Sequence, residues 1–436
     1  MITIPDNNYK GKVCPLHEAA DLLPIANKPI RQLCEENEHL LIFPLSIDDT
    51  DDMIGDNTIV DIYAEDENSA RLKTGNIMGF VGRKNQQLKI YSRFDNHGHD
   101  YFLHYMLQKV FSYNIFNLDF TSSEDNVFEF LVYMFPAMLK KAMRQGVFKQ
   151  YRRFRHNDAN VHGTIDISRH IRENIPFRGT VAYNTKEYSF DNSITELIRH
   201  TIEYIKTMPT GNIILSSDKV VDDCIKKIVS YTPSYCHTER IKIIQENLLP
   251  CNHPFYTEYT ALQKLCVQIL RQEEIKYGTN DDRIYGILFD GAWLWEEYLN
   301  TLLCEVGFTH PENKLGIGAI YLFEHGGQRF PDFGKDDIVL DAKYKKLAIN
   351  GDHLDIDRED VHQIMAYMYR LKAPKGGVIC PYVGDANKVI SQRMHKDSYL
   401  GALSLHAVSI PRDCNSYEDF ATRIAYNENA LLNEIK

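Results

Sequence analysis

The chain has 436 residues, of which 44% are hydrophobic and 25% are charged, a composition typical of globular proteins that excludes a disordered or fibrous chain. Its 49 Lys and Arg residues against 60 Asp and Glu residues give a formal net charge of −11, so the molecule as a whole lacks the basic character of a protein that coats nucleic acid. Nine cysteines at irregular spacing, with no signal peptide and no apolar run long enough to cross a bilayer, favour reduced thiols, a cytoplasmic location and no membrane association.

The length allows about three domains on the usual prior of about 150 residues each. We expect residues 1–115 to form a small β-rich domain that contacts a partner, residues 116–280 a mainly helical region, and residues 281–436 an α/β domain with a mixed central sheet. The predicted fold class is therefore α+β with several domains.

Short alternating apolar runs predict the strands of the amino-terminal domain. They lie at residues 40–45, 59–64, 77–81 and 88–93, and polar or glycine-containing turns separate them. We expect these strands to pair as a small antiparallel sheet.

Helical spacing dominates from residue 101 onward, where apolar side chains recur at intervals of three and four. A later helix is expected to begin at Ser193, because Ser193 followed three residues later by Glu196 is a capping-box pattern. Between these two helices lies a basic run without an acidic residue, interleaved with aromatic side chains. The run comprises Lys140, Lys141, Arg144, Lys149, Arg152, Arg153 and Arg155.

In an acidic chain such a run predicts a contact with DNA or a partner, and Arg152 and Arg153 are the candidate DNA-binding residues. A solvated helix face followed by an amphipathic strand is an equal alternative.

The most informative pattern lies at residues 330–346. Residues 338–340 are aliphatic, as expected of a strand buried on both faces. Side chains two positions apart on a strand share a face, so Asp341 and Lys343 are expected to point the same way. With Asp332 arriving from the preceding strand, two carboxylates and an ammonium group would converge on one point. Such a group can hold a divalent cation and hydrolyse a phosphodiester.

The elements around this pattern predict an α/β unit. A helix is expected at residues 293–306 with Gly307 ending it, followed by a strand at 319–323, a helix near 358–371 and a strand at 377–382. This order indicates a mixed sheet flanked by helices, with the Asp-x-Lys pattern on a central strand.

Two motifs carry a family resemblance. The Pro331-Asp332 and Asp341-Ala342-Lys343 pair resembles the PD-(D/E)XK nuclease superfamily, and the wider sequence resembles McrC, the nuclease subunit of GTP-dependent McrBC restriction systems. The wider resemblance extends over most of the chain beyond about residue 126. It rests on residues 162–167, 188–192, 341–345 and 360–367.

The resemblance implies a role for each matching residue. Asp332 and Asp341 would bind a metal ion, and Lys343 would position or polarise the attacking water. Glu296 would be an additional catalytic and metal-binding acid, with Glu297 left open as the alternative because the two project about 100° apart on a helix. Magnesium is expected rather than zinc, since the candidate ligands are oxygens.

Three further residues would border the site. Gln363 and Tyr367, four positions apart on one helix face, resemble the Gln-xxx-Tyr signature of such nucleases and would support it. Lys345, further toward the strand end, is expected to contact a DNA phosphate or to be solvated rather than to act in catalysis.

The sequence contains no Gly-x-x-x-x-Gly-Lys-Ser/Thr pattern for binding a nucleoside triphosphate. The resemblance therefore implies that GTP binds to a separate McrB-like AAA+ GTPase hexamer, which this chain would contact and stimulate. Residues 74–76 and 92–95 are the expected docking surface.

The expected function is that of a DNA endonuclease subunit in a type IV, McrBC-like restriction system, cutting double-stranded DNA with Mg²⁺ when assembled with the GTPase. Two alternatives stay open: an assembly and GTPase-activating subunit that does not cleave, and a free-standing nuclease of defence or repair.

Overall fold

The computed structural model describes most of the chain in two compact units. The first unit comprises residues 1–127 and 280–436, and the middle unit comprises residues 128–279. The division into three domains proposed above stays a prediction. The described residues are 2–37, 40–44, 54–83, 86–95, 100–111, 124–208, 211–216, 218–251, 253–275, 284–311, 319–346, 356–398 and 400–435.

The amino-terminal part of the first unit is rich in short strands, as expected from its alternating apolar runs. Four of these strands were predicted, and β1, β2 and β5 were not. In chain order the elements are β1 (Ile2–Pro5), β2 (Lys12–Pro15), α1 (Leu16–Ala19), α2 (Ile30–Glu36), β3 (Leu40–Phe43), β4 (Val60–Ala64), β5 (Ser69–Thr74), β6 (Ile77–Arg83), β7 (Gln86–Tyr91) and α3 (Tyr101–Phe111).

The next part combines helices with a three-stranded antiparallel sheet of order β8-β10-β9, which the sequence did not predict in full. Helix α6 packs against α8, α9 and α10. The elements are α4 (Glu124–Arg144), β8 (Gln150–Asp158), β9 (Thr164–Ile165), α5 (Ile167–Asn174), β10 (Val181–Ser189), α6 (Ser193–Lys206), α7 (Gly211–Leu215), α8 (Lys219–Tyr231), α9 (Arg240–Glu246) and α10 (Glu258–Ile275).

Helix α6 begins at Ser193 as predicted, but its predicted capping pair is wrong by one residue. The Asn192 side chain accepts hydrogen bonds from the backbone of Ile194 and Thr195, and the Thr195 hydroxyl accepts one from the Asn192 backbone. Asparagine is as good a cap as serine. Glu196 takes no part in this cap and instead accepts a hydrogen bond from Arg152.

The carboxyl-terminal part completes the first unit. Its strands and helices are β11 (Ile284–Asp290), α11 (Gly291–Leu303), β12 (Ile320–Tyr321), β13 (Gln328–Arg329), β14 (Phe333–Lys335), β15 (Ile338–Ala342), α12 (Arg358–Leu371), β16 (Lys375–Tyr382), β17 (Lys388–Arg393), β18 (Ala402–Ser409) and α13 (Tyr417–Ile435).

One sheet of the first unit joins strands from both ends of the chain, in the order β1-β7-β6-β11-β3. Strand β1 runs parallel to β7 and β11 parallel to β3, whereas β6 is antiparallel to both of its neighbours. The expected purely antiparallel sheet is therefore wrong. Local alternation cannot reveal that β11, far away in the sequence, lies between β6 and β3.

The second five-stranded sheet has the order β14-β15-β16-β18-β17. Its three inner strands are parallel and its two edge strands are antiparallel. Helix α12 packs against β15 and β16, and α13 against β18. This is the predicted mixed sheet flanked by helices, with Asp341 on an inner strand. The strand predicted at 319–323 is wrong in extent, because β12 has two residues and pairs with β13 outside this sheet.

Helix α11 follows β11 directly, and Asp290 caps it by accepting a hydrogen bond from the Trp293 backbone at 2.8 Å. A short 3₁₀ turn and Gly307, with φ of 91°, end it at the predicted position. None of the helices within the described ranges is long and apolar enough to cross a membrane. No disulfide bond joins any two of the nine cysteines, all of which lie within the described ranges.

Candidate active site

The hairpin of β14 and β15 brings two of the predicted carboxylates together. Phe333 pairs with Leu340, so the next position outward places Asp332 opposite Asp341. The Asp332 carboxylate accepts a hydrogen bond from the Ala342 backbone N–H at 2.7 Å. The two aspartates therefore meet at one end of the hairpin, as the sequence predicted.

Crowding of negative charge characterises this pair. Burial, followed by the charges of Asp341 and Glu296, raises the pKa of Asp332 well above its usual value. The Asp332 residue is half-buried, and protein atoms surround its carboxyl group densely. Burial also raises the pKa of Asp341, although Lys343 opposes this effect.

The Lys343 ammonium is the main compensating charge. Its Nζ lies 2.7 Å from Asp341 Oδ2, and the two side chains are 19% and 2% exposed. Burial lowers the pKa of Lys343, but the charges of Asp341 and Asp332 outweigh burial and keep this pKa above its usual value. Lys343 is therefore a cation at neutral pH and serves as a donor rather than as a base.

A chain of hydrogen bonds fixes the Lys343 side chain against helix α12. Lys343 Nζ donates to Gln363 Oε1 at 3.0 Å, Gln363 Nε2 donates to the Tyr367 hydroxyl at 2.8 Å, and that hydroxyl donates to the Phe330 carbonyl at 3.2 Å. The predicted pair at positions 363 and 367 thus lies beside the site and orients the lysine.

The predicted phosphate-binding Lys345 is held by two carboxylates. Its ammonium donates to Asp357 at 2.9 Å and to Asp360 at 2.8 Å. Asp360, 7% exposed, also lies 3.9 Å from Lys343 Nζ, so it links both lysines. Asp360 is not among the predicted site residues, although it occurs in the segment 360–367 that resembles McrC. The role of Lys345 stays a prediction.

Glu296 of helix α11 raises the pKa of Asp332 by its charge, after burial and the charge of Asp341. Its Oε1 is 3.6 Å from His310 Nε2, and His310 Nδ1 donates to the Asp332 carbonyl at 2.7 Å. No motif in the sequence marks His310 as a site residue. A bridge between Thr309 and Gly334 of strand β14 brings it to the site.

The donor set fits a magnesium ion. Asp341 Oδ2 has Lys343 as a charge partner at 2.7 Å but no donor in hydrogen-bond geometry. Burial and neighbouring carboxylates raise the pKa of both Asp332 and Asp341, and a bound cation would offset this effect. Magnesium keeps several waters and commonly binds one or two carboxylates. Across the described segments, no group of three or more His, Cys, Asp and Glu side chains is arranged to hold a metal ion.

Tyr344, the residue after the Asp-x-Lys pattern, contacts the segment that follows strand β7. The Tyr344 hydroxyl hydrogen-bonds Ser92 Oγ at 2.7 Å, and the Tyr344 carbonyl accepts from Arg93 at 3.0 Å. The Arg93 guanidinium also lies 4.6 Å from the Tyr344 ring centroid and 3.3 Å from Asp6. These contacts fix the end of β15.

The same contacts correct one prediction. Ser92, Arg93, Phe94 and Asp95 are at most 7% exposed, so this half of the expected docking surface is wrong. The segment was expected at the surface, but the Ser92 and Arg93 side chains hydrogen-bond Tyr344 and Asn76 inside the unit. In the other half, Thr74 is also buried, whereas Asn76 is exposed.

In the middle unit, the structure separates the two predicted DNA-binding arginines. Arg152 donates to Glu196 at 3.0 Å and to Ser234 at 3.0 Å, and it lies 3.3 Å from Asp191. Arg153 is exposed on the opposite face of β8. The DNA-binding role of either residue stays a prediction, but the charge of Arg152 is already compensated by two carboxylates.

Comparisons with known proteins agree with the motifs. Residues 72–381 match the family described as McrBC 5-methylcytosine restriction system component. No curated protein matches the chain. Among solved structures, it is similar to a chain of the half-complex from a tetradecameric assembly of Thermococcus gammatolerans McrB AAA+ hexamers with bound McrC, with 14% identity, a TM-score of 0.39, and coverage of 98% of this chain and 99% of that chain.

A second similar chain comes from the cryo-EM structure of the Thermococcus gammatolerans McrBC complex, with 16% identity, a TM-score of 0.31, and coverage of 70% of this chain and 87% of that one. The family match spans more than half of the sequence and agrees with the resemblance noted from its motifs. The chain belongs to the McrBC 5-methylcytosine restriction system component family.

Proposed function

We propose that this chain is the DNA endonuclease subunit of a GTP-dependent, McrBC-type restriction system and that it cleaves phosphodiester bonds with Mg²⁺. The observation that carries the proposal is the meeting of Asp332 and Asp341 beside the charged Lys343. A purely structural strand end has no need of two crowded carboxylates, because their raised pKa values cost folding free energy.

Asp332 and Asp341 would hold the metal ion, with Glu296 as a third acidic group within electrostatic reach. A bound Mg²⁺ would lower the pKa of a coordinated water and offset the negative charge that builds on the phosphoryl oxygens. The assignment of the first unit's second sheet to the PD-(D/E)XK fold is part of this proposal.

Lys343 would act on the water and on the scissile phosphate. Its ammonium group is a fixed donor, because Asp341 and Gln363 hold it from two sides. A donor that needs no reorganisation stabilises developing negative charge better than mobile solvent does. Gln363 and Tyr367 would contribute by positioning the lysine rather than by chemistry.

Cleavage would require an AAA+ GTPase partner. One of the similar chains belongs to an assembly of McrB AAA+ hexamers with bound McrC, and the present sequence has no P-loop pattern of its own. We therefore infer that GTP binds to a hexameric McrB-like partner, that this chain stimulates GTP hydrolysis there, and that double-stranded DNA is the substrate.

A mixing experiment tests this proposal. The purified chain, its McrB-type GTPase, GTP, Mg²⁺ and duplex DNA are combined and then omitted one at a time, with DNA cleavage and GTP hydrolysis measured in parallel. The proposal predicts cleavage only in the complete mixture. GTPase stimulation without cleavage would contradict the nuclease assignment, and cleavage by the chain with Mg²⁺ alone would contradict the need for a motor.

A further inference from the structure

One face of the three-stranded sheet in the middle unit carries several exposed, positively charged side chains. Strands β8 and β10 pair antiparallel, with Arg155 opposite Asn184, Arg153 opposite Lys186 and Tyr151 opposite Tyr188. Directly opposed residues of two antiparallel strands lie on the same face. Arg153, Arg155 and Lys186 therefore share one face, and all three side chains are exposed.

Within the described residues, neither Arg153 nor Arg155 forms an ion pair, whereas the neighbouring Arg152 on the opposite face is paired with Asp191 and Glu196. Hydrogen bonds from the Arg169 backbone and the Asn184 side chain lower the pKa of Asp166, and the charge of Arg153 adds only a smaller effect.

Two tyrosines keep the lysines near this face. The Tyr151 and Tyr188 rings lie 5.0 Å apart, with Lys186 Nζ 5.2 Å from the Tyr151 centroid and Lys149 Nζ 5.7 Å from the Tyr188 centroid. Such cation–π contacts hold an ammonium group over an aromatic ring. Because the rings already carry cations, the face favours phosphate contacts over stacking of unpaired bases.

We propose that this surface, called here the basic face and defined by Arg153, Arg155 and Lys186 with Tyr151 and Tyr188, binds the phosphate backbone of duplex DNA. The inference rests on the proposed nuclease function and adds a DNA contact in a different unit of the chain. Residues two apart on a strand are separated by about 6.8 Å, so Arg153 and Arg155 reach separate phosphates.

Binding by the basic face is independent of base sequence. Its arginine and lysine side chains recognise phosphate charge, and phosphate contacts position a protein on DNA without specifying bases. A local positive surface also explains how a chain of net charge −11 holds a polyanion, since the local field governs the contact.

The test measures duplex DNA binding by the full chain, with fluorescence anisotropy over a range of salt concentrations in EDTA, where cleavage plays no part. The variant Arg153→Gln/Arg155→Gln is expected to bind at least tenfold more weakly at low salt. Because each phosphate contact contributes about 0.9 to the slope of log K against log salt, the slope should become shallower by about 1.8. Lys186→Gln, on the other strand, should make it shallower by about 0.9.

The matched control is Lys219→Gln/Lys227→Gln, which removes two exposed charges from helix α8 and should leave affinity and slope unchanged. Circular dichroism checks the fold of each variant. Unchanged affinity and slope in both basic-face variants would overturn the proposal, as would binding of single-stranded DNA with no binding of duplex. Either result leaves the nuclease proposal to the cleavage experiment, because binding and cleavage are read separately.

Discussion

The carboxylate site of the first unit and the basic face of the middle unit differ in the burial and ion pairing of their charged side chains. At the site, Asp341 and Lys343 are 2% and 19% exposed and lie 2.7 Å apart, so each charge acts at short range in surroundings that screen it weakly. On the basic face, Arg153 and Arg155 are exposed and without ion pairs among the described residues.

The two charge environments suit two different tasks, catalysis at the carboxylate site and DNA binding on the basic face. Buried, mutually fixed charges give strong local fields, whereas exposed cations give long-range attraction that salt weakens. In the proposed nuclease, the carboxylate site would cleave DNA and the basic face would bind it. Substitutions at one should therefore leave the activity of the other intact.

The largest expected effect is on cleavage. Asp341→Asn removes one proposed metal ligand and the charge partner of Lys343, and we expect cleavage by the assembled complex to fall by about 100-fold or more. DNA binding through the basic face should persist. Asp336→Asn is the matched control, because Asp336 is exposed in the β14–β15 turn with φ of 46°, a conformation that asparagine adopts readily.

Lys343→Ala should reduce cleavage to a similar degree, with Lys375→Ala as the control for losing an exposed lysine in the same sheet. Gel assays of product formation at fixed complex concentration measure both pairs. Full activity in Asp341→Asn or Lys343→Ala would remove that residue from the mechanism.

A pH effect tests burial in the middle unit. Burial lowers the pKa of His200 to about 4, while in the unfolded chain histidine titrates near 6.5. Between about pH 6.5 and pH 4, His200 is protonated in the unfolded chain but neutral in the folded chain. The free energy of unfolding therefore falls as the pH is lowered through this range, by up to about 2 kcal/mol at pH 5. The nearby charged groups are Arg240, Glu239, Arg199 and His237.

Urea unfolding at pH 7.5 and pH 5 measures this loss, and His200→Phe should reduce it. The arginines of the basic face stay charged throughout this range, so DNA binding at pH 6 should not fall in parallel. An equal loss of stability on acidification in the variant would assign the pH effect to other groups.

Arg152 and Arg153 provide the sharpest comparison within one strand. Arg152→Met leaves the buried carboxylate of Glu196 without its cation and should lower the free energy of unfolding by about 1–2 kcal/mol, a value reduced because Arg152 is partly exposed. Arg153→Met should change it by less than about 0.5 kcal/mol. Urea unfolding measures the free energy of unfolding of both variants. Equal losses would contradict the placement of Arg152 and Arg153 on opposite faces of β8.

A smaller effect is expected for the residues that position Lys343. Gln363→Leu removes the acceptor that holds its ammonium group, so cleavage should fall by about tenfold. Tyr367→Phe, one step further along the chain of hydrogen bonds, should cost less. Steady-state kinetics of the complex measures both variants. A greater loss in Tyr367→Phe than in Gln363→Leu would contradict this order of positioning.

The site was predictable because its determinants are local. Asp332, Asp341 and Lys343 lie within one hairpin and its end, where strand period and register fix which side chains meet. His310 was not predictable, because it reaches the site only through a bridge between Thr309 and Gly334.

The basic face was predictable only in part. Sequence placed Arg152 and Arg153 in one basic run, but a strand directs adjacent side chains to opposite faces, and the pairing with β10 that adds Lys186 is not visible locally. The prediction of a purely antiparallel amino-terminal sheet was wrong for the same reason, because β11 joins this sheet from a distant part of the chain.

Metal binding tests the central claim most directly. Calorimetric titration of the full chain with Mn²⁺, a substitute for Mg²⁺ at oxygen ligands, should show a site in the wild type and in Asp336→Asn, and a marked loss of that site in both Asp332→Asn and Asp341→Asn. Equal Mn²⁺ binding by all four proteins would contradict a metal-dependent nuclease site at these two carboxylates.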